Sequence, residues 1–327
     1  MTLKHFPLFA LTYWLAHGLW AAPPLDQSAA RQIVTRDPST VVQCKDEFWV
    51  FYTGRGIPSY HSRDLVNWEP GPPVFQSVPD WIAAAVPEKR DKAYWAPDVK
   101  FVGGRYLLYY AVSNMGKITS AIGLATNPTL DPNDPAYYWT DRGIVVQSGE
   151  GGDFNAIDPS VFQDDDGSLW LAFGSYWSGI KLIQLDPATG KRSSPDAPLV
   201  SLAYNKQIEA SCLYKHGGYY YLFVNWGSCC NSVKSTYNIR IGRSRKISGP
   251  YLDKEGVDML HGGGSLFLGS QGPLVGPGHA GILVEHGRNW FTSDFEGDVR
   301  RDGKATLAIM RLRWNPDGWP KAELPDK

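Results

Sequence analysis

Five stretches of the chain share one layout: a polar or ionisable residue, an apolar strand, a turn on Gly or Asp, and an aromatic return strand. They read RDPSTVVQCKDEFWVFYTG from Arg36, APDVKFVGGRYLLYYAVS from Ala96, NAIDPSVFQDDDGSLWLAFGS from Asn155, IEASCLYKHGGYYYLFVNWG from Ile208 and GPGHAGILVEHGRNWFTSDF from Gly276. A third strand follows the later hairpins, as in AIGLATNPTL, GIKLIQLDPATGK and NIRIGRSRKISGPY, and usually a fourth. Four short antiparallel strands in each period of about 50 to 60 residues is the signature of a propeller blade. The expected fold is therefore all-β, a single-domain five-bladed β-propeller over residues 30–327. Length alone suggests about two domains, but five blades leave no chain for a second.

Composition agrees with short strands and many turns, since 34 Gly and 24 Pro accompany 13 Trp and 17 Tyr. The formal net charge is -1 and no basic run or acidic tail stands out, so neither nucleic acid nor a membrane surface is expected as partner. A monomer is expected. Residues 1–22 read as an export signal: Lys4 and His5, an apolar run from Phe6 to Trp20 interrupted by His17, then Ala21 and Ala22. That run is short of the ~20 apolar residues of a bilayer span, so a secreted or periplasmic mature protein is expected. Four cysteines, Cys44, Cys212, Cys229 and Cys230, are too few for a disulfide scaffold and lack metal-binding spacing. They leave room for one disulfide whose pairing the sequence does not choose.

The heads of the five units are Asp37, Asp98, Asp158, Glu209 and His279. The innermost strand of every blade lines the central channel, so these residues should converge near the axis. Capping of turns and backbone amides accounts for Asp98. For Asp37, Asp158 and Glu209 a different reading follows, because three converging acids crowd negative charge and raise at least one pKa. Glycoside hydrolysis needs that arrangement: one protonated carboxyl for the leaving oxygen and one ionised carboxylate for water or the sugar. Trp95, Trp177 and Trp226 lie beside the strand heads and are candidates to stack on sugar faces, and Asn155 and Ser175 in the third unit are candidate substrate-binding residues. Other chemistries lack their motifs. HGGG at 261–264 has no GxSxG elbow to serve, DDDG at 164–167 lacks EF-hand spacing, and no P-loop or dinucleotide fingerprint occurs.

The stretches RDPS (36–39), YWAPDVKF (94–101), SAIGLATN (120–127), NAIDPSVF (155–162), FGSYWSGIKL (173–182), GSCC (227–230) and ISGPYLDKEG (247–256) together resemble glycoside hydrolase family 43, in its arabinan-degrading branch. The resemblance covers nearly the whole mature chain. It implies an inverting mechanism with Asp37 as general base, Asp158 as the residue that tunes and orients the acid, and Glu209 as general acid. It also implies a cation, usually calcium, held on the propeller axis through His279, and no organic cofactor. Two departures bear on this. Ala210 and Ser211 follow Glu209 where relatives carry Gly-Pro or Ala-Pro, and Met115 stands where relatives place a stacking Phe. The expected activity is hydrolysis of α-1,5 links within arabinan, with exo-arabinanase, arabinofuranosidase or xylosidase as alternatives in the same family and a non-catalytic sugar-binding propeller as one outside it. The 77–93 segment is the expected wall that decides between endo and exo action.

Overall fold

The computed structural model describes residues 33–89 and 92–323, so the export-signal expectation for 1–22 lies outside the described residues. Blade 1 comprises β1 (Val42–Cys44), β2 (Glu47–Phe51), β4 (Ser59–Ser62) and β5 (Glu69–Gly71), and a short β3 (Gly54–Arg55) crosses to the next sheet. Blade 2 holds β6 (Ala93–Val102), β7 (Arg105–Val112), β8 (Ser120–Asn127) and β9 (Thr140–Ser148), with β3 added at its inner edge. Blade 3 holds β10 (Ser160–Gln163), β11 (Leu169–Phe173), β12 (Ile180–Leu185) and β13 (Val200–Ala203). Blade 4 holds β14 (Ile208–His216), β15 (Tyr219–Trp226), β16 (Asn238–Ser244) and β17 (Ser265–Leu268). Blade 5 closes the ring with β18 (Leu274–Glu285), β19 (Arg288–Asp298), β20 (Lys304–Trp314) and β21 (Pro320–Glu323). All pairings within the blades are antiparallel. The five-bladed reading holds, and each blade is built from consecutive chain.

A blade is buried on both faces, which is why its middle strands read as continuous apolar and aromatic runs. The core divides accordingly into five clusters, one at each blade interface. Trp49, Phe51, Tyr94 and Tyr110 fill the contact between blades 1 and 2, and Leu107, Tyr109, Leu171 and Phe173 that between blades 2 and 3. Leu182, Leu202, Leu222 and Val224 join blades 3 and 4, and Phe223, Ile241, Phe291 and Met310 join blades 4 and 5. Full burial of each such side chain contributes about 1.5 to 3 kcal/mol. Among the described residues the ring closes without exchange of a strand between the first and last blades. Ile33, Val41, Phe48 and Val50 pack there on Leu283, Trp290, Leu307 and Ile309. Gly281 permits this seam, because a Cβ at that position would lie 3.0 Å from the Thr40 Cα.

One backbone irregularity recurs around the axis. Asp37, Ala96, Asp158, Ala210 and His279 all have positive φ, between 41° and 56°. In blades 2, 4 and 5 the ladder register shifts at that point. Left-handed backbone at a residue with a Cβ costs on the order of 1–3 kcal/mol and persists where surrounding structure enforces it. Bulges of this kind re-aim side chains at the rim of a site. Among the described residues no helix is long and apolar enough to cross a membrane.

Candidate active site

The bulges aim side chains into a cleft of about 700 Å³ at one end of the channel, within the usual size of a ligand pocket. Asp37, Asp158, Glu209 and His279 all line it, together with Trp95, Asn155, Ser175 and Trp177. Asp98 does not. By backbone conformation its blade's equivalent of Asp158 is Ala96, two residues earlier. The Asp98 carboxylate is buried below the cleft, accepting the Thr40 N–H at 3.0 Å and the Val161 N–H at 2.8 Å. It ties β6 to β10 and to the segment that leads into β1, as the capping reading expects. Burial pushes its pKa up and those amides pull it back.

Trp226 is also outside the cleft. Strand neighbours face opposite sides, and it is Asn225 that turns to the axis, donating to the Pro277 carbonyl at 2.9 Å and accepting the His279 N–H at 3.2 Å. Trp226 instead packs between blades 3 and 4, with the Arg240 guanidinium 4.7 Å from its ring centre. The expectation that it stacks on sugar is corrected by that alternation. None of the described residues of the 77–93 segment lines the cleft, so the expected wall is not seen in them. The segment carries a one-turn α1 (Ile82–Ala85) packed into the contact between blades 1 and 2, and Lys89 reaches towards the cleft, 5.0 Å from the Trp95 ring centre and bonded to the Ser113 carbonyl at 3.1 Å. Exposed parts of the wall include residues 115–117, with Met115 at 71% exposure, Trp177 at 40%, Lys206, Ser228 and Cys230.

Glu209 is almost fully buried. Ser175 Oγ donates to its Oε2 at 2.6 Å, and the buried Tyr237 hydroxyl donates to its Oε1. Burial and then the Asp158 charge push the Glu209 carboxyl up to about 7, while the two hydroxyls and His279 act in the other direction. Asp158 accepts the Ala210 N–H at 3.2 Å, which links it to the bulge that carries Glu209. Asn155 is held by Ser120 Oγ at 2.7 Å.

Asp37 sits among different neighbours. The Thr53 hydroxyl donates to its Oδ2 at 2.6 Å and is itself fixed by the Ala96 N–H at 2.8 Å. His279 Nδ1 lies 3.3 Å from Asp37 Oδ1, and Nε2 lies 3.9 Å from Asp158 Oδ1. Burial alone would lower the His279 pKa, but the Asp37, Asp158 and Asp294 carboxylates outweigh it and raise the imidazole to about 10. Residues that the sequence analysis does not single out include Thr53 and Tyr237, which bond the two acids, and the charged Arg36, Asp294 and Glu296. Asp294 accepts the Asp37 N–H at 3.4 Å, and burial followed by the Asp37 charge drives its pKa well above the ordinary range. Burial raises Glu296 too, with Arg36 opposing. The signal for both was the alternation Asp294, Glu296, Asp298 in an otherwise buried strand.

Beneath the cleft, His279, Ser211, Ser160 and Asp158 surround a small axial cavity of about 20 Å³. Neither His279 nitrogen nor Ser211 Oγ has an aligned hydrogen-bond partner. Unpartnered buried polar atoms beside room for one water-sized centre suit an ordered water, and they offer a cation only the Ser211 oxygen and, if His279 is neutral, one imidazole lone pair. Among the described residues the group close enough to share a directly bound metal is Cys229, Cys230 and Glu296, whose sulfur ligands suit a softer ion than calcium. The Cys229 and Cys230 Sγ atoms are 2.7 Å apart on the cleft wall, and Cys44 and Cys212 are buried apart as free thiols.

The chain matches the family model for glycosyl hydrolases family 43 over residues 31–320. It is 39% identical to the extracellular endo-alpha-(1->5)-L-arabinanase 1 of Bacillus subtilis, over 94% of each chain. It is also 39% identical to an extracellular exo-alpha-(1->5)-L-arabinofuranosidase of Cellvibrio japonicus, over 90% of this chain and 88% of that protein. The solved structure of Cellvibrio cellulosa alpha-L-arabinanase complexed with arabinohexaose superposes with a TM-score of 0.85 at 37% identity, covering 89% of this chain and 96% of that one.

Proposed function

The chain belongs to glycosyl hydrolase family 43, and on that premise we infer that it is an arabinan hydrolase cleaving α-1,5 links between L-arabinofuranosyl units within the chain. The observation that carries the reaction type is the contrast between two carboxyls facing one cleft: Glu209, buried and held protonated to about pH 7, and Asp37, half-buried and set against His279. Endo action is the first reading because relatives from Bacillus subtilis and Bacillus licheniformis are named endo-arabinanases. The Cellvibrio japonicus relative makes exo action the second.

In the proposed mechanism Glu209 donates its proton to the departing glycosidic oxygen while Asp37 takes one from water attacking the opposite face of the sugar. Asp158 acts through Glu209. Its charge discourages ionisation of the acid, and its bond to the Ala210 amide fixes the bulge on which Glu209 stands. Trp95 and Trp177 offer apolar faces to furanose rings, and Asn155 and Ser175 line the floor near the acid. A calcium ion would need neutral imidazole at His279, against the protonation that its carboxylate neighbours favour, and would then be held by that nitrogen and Ser211 with water; when bound it supplies positive charge in place of the imidazolium proton. Export to the exterior is part of the same reading, supported by the extracellular relatives.

Incubation with linear arabinan tests the activity. A ladder of oligosaccharides supports internal cleavage, a single short product supports exo action, and binding without product removes the hydrolase reading. NMR of the first-formed sugar tests the stereochemistry, for which inversion is expected. Elemental analysis of protein purified without chelator tests for calcium.

A further inference from the structure

The far end of blade 4 carries a feature that the cleft does not use. β14 starts beside the cleft at Glu209 and turns at Gly217 and Gly218, so Tyr219 at the start of β15 and Ser244 at the end of β16 lie at the opposite end of the blade. A groove of about 460 Å³ opens there, lined by Tyr219, Arg243, Arg245, Lys246, Lys254 and Trp319 among others. Arg245, Lys246 and Lys254 are exposed and Arg243 is half-buried.

Four cations in one groove are conspicuous in a chain of net charge -1. None of the four makes a salt bridge among the described residues. Asp253, the carboxylate that also lines the groove, is turned into its own loop, where it accepts the backbone N–H groups of Glu255, Val257 and Gly264. With one carboxylate against four cations, the groove keeps a net positive charge. That charge is also held in place. The Arg243 and Arg245 guanidinium carbons lie 4.6 and 3.6 Å from the Tyr219 ring centre, and Arg243 lies 4.4 Å from that of Trp319. Arg243 donates to the Asp317 carbonyl at 2.9 Å and Arg245 to the Gly218 carbonyl at 3.2 Å. Stacking and single backbone bonds orient the guanidiniums while leaving donors free, and ordering costs already met in the free protein do not weaken binding.

We propose that this groove is a second carbohydrate-binding site, separate from the cleft, that takes a carboxylated polysaccharide of the polygalacturonate type. Arabinan is neutral and gives four cations nothing to recognise, so the ligand is a different chain from the one being cut. A concave groove suits a single polyanionic strand better than the flat face of a membrane. Choice of an acidic polysaccharide over a nucleic acid rests on the reading of the protein as an arabinan hydrolase. The site would hold the enzyme on an acidic polymer while the cleft, at the other end of the propeller, works on neutral chains.

Affinity electrophoresis in native gels containing polygalacturonate, neutral linear arabinan, heparin or double-stranded DNA tests this. Wild-type protein should be retarded most by polygalacturonate, with the effect fading as salt rises from about 50 to 200 mM. The variant Arg245→Glu/Lys246→Glu/Lys254→Glu should lose at least about ten-fold in affinity, near 1.4 kcal/mol, with unchanged rates on soluble linear arabinan. The milder Arg245→Gln/Lys246→Gln/Lys254→Gln triple should show the same loss if charge reversal impairs folding. Absence of retardation at low salt, equal retardation of wild type and both triples, or stronger retardation by heparin or DNA would overturn the proposal. Failure of the wild type to cut linear arabinan removes the hydrolase reading instead, a result scored separately from the gels.

Discussion

The two sides of the cleft use the same residue types to opposite ends. On the side of blades 3 and 4, Glu209 receives hydrogen bonds from the neutral hydroxyls of Ser175 and Tyr237 and faces the charge of Asp158. On the side of blades 5 and 1, Asp37 lies against His279, whose imidazole is raised to about 10 by its carboxylate neighbours and is cationic at neutral pH. Burial and a like charge hold a proton on Glu209 against the pull of two hydroxyl donors, whereas Asp37 has a cation for a neighbour. The roles of acid and base follow from who stands beside each group.

Substitutions can break this contrast, and the largest effect is expected from Asp37→Asn. It should lower turnover towards the upper part of the ~10²–10⁴ range of acid and base catalysis, both on arabinan and on an aryl arabinofuranoside with an acidic phenol. Glu209→Gln should lower arabinan turnover by at least ~100-fold yet leave the aryl glycoside within about ten-fold, since that leaving group departs without a proton. If both variants behave alike on the two substrates, the division of labour is wrong.

A finer test uses pH. Glu209 acts as acid only while protonated, so kcat/KM should fall as pH rises through about 7. Asp158→Asn removes a charge that raises the Glu209 pKa, so that alkaline limb should move to lower pH, with a several-fold loss at pH 7. Tyr237→Phe removes a donor that favours the ionised carboxylate, so the limb should move to higher pH, the smallest effect of the four. Limbs that shift together, or not at all, would show that the hydroxyl and the carboxylate do not tune the acid in opposite directions.

The blades were legible because each hairpin repeats a pattern that only its own strands need to satisfy. Convergence of Asp37, Asp158, Glu209 and His279 was legible for the same reason: each heads an inner strand. What the repeat hid was offset and facing. Asp98 stands two residues past the positive-φ position of its blade and points down to the Thr40 and Val161 amides, a difference set by the bulge. Trp226 faces away because Asn225 takes the axial side. Asp294 and Glu296 come from a second strand, where acids seldom signal a site. The basic groove was invisible as a run because Arg243 and Arg245 alternate along a strand end and Lys254 arrives from the following loop.

The seam between blades 1 and 5 bears on how the molecule comes to be active. Each blade draws its contacts from neighbouring chain, so blades 1 to 4 can take shape in the order of their synthesis, with low contact order favouring speed. Asp37 emerges with the first blade, and its partners His279 and Asp294 emerge with the last. Their meeting waits for Leu283, Trp290, Leu307 and Ile309 to settle on Ile33, Val41, Phe48 and Val50. A nascent chain of four blades therefore carries a poised acid in Glu209 without the environment of its base, and hydrolytic competence arrives in one step with closure of the circle.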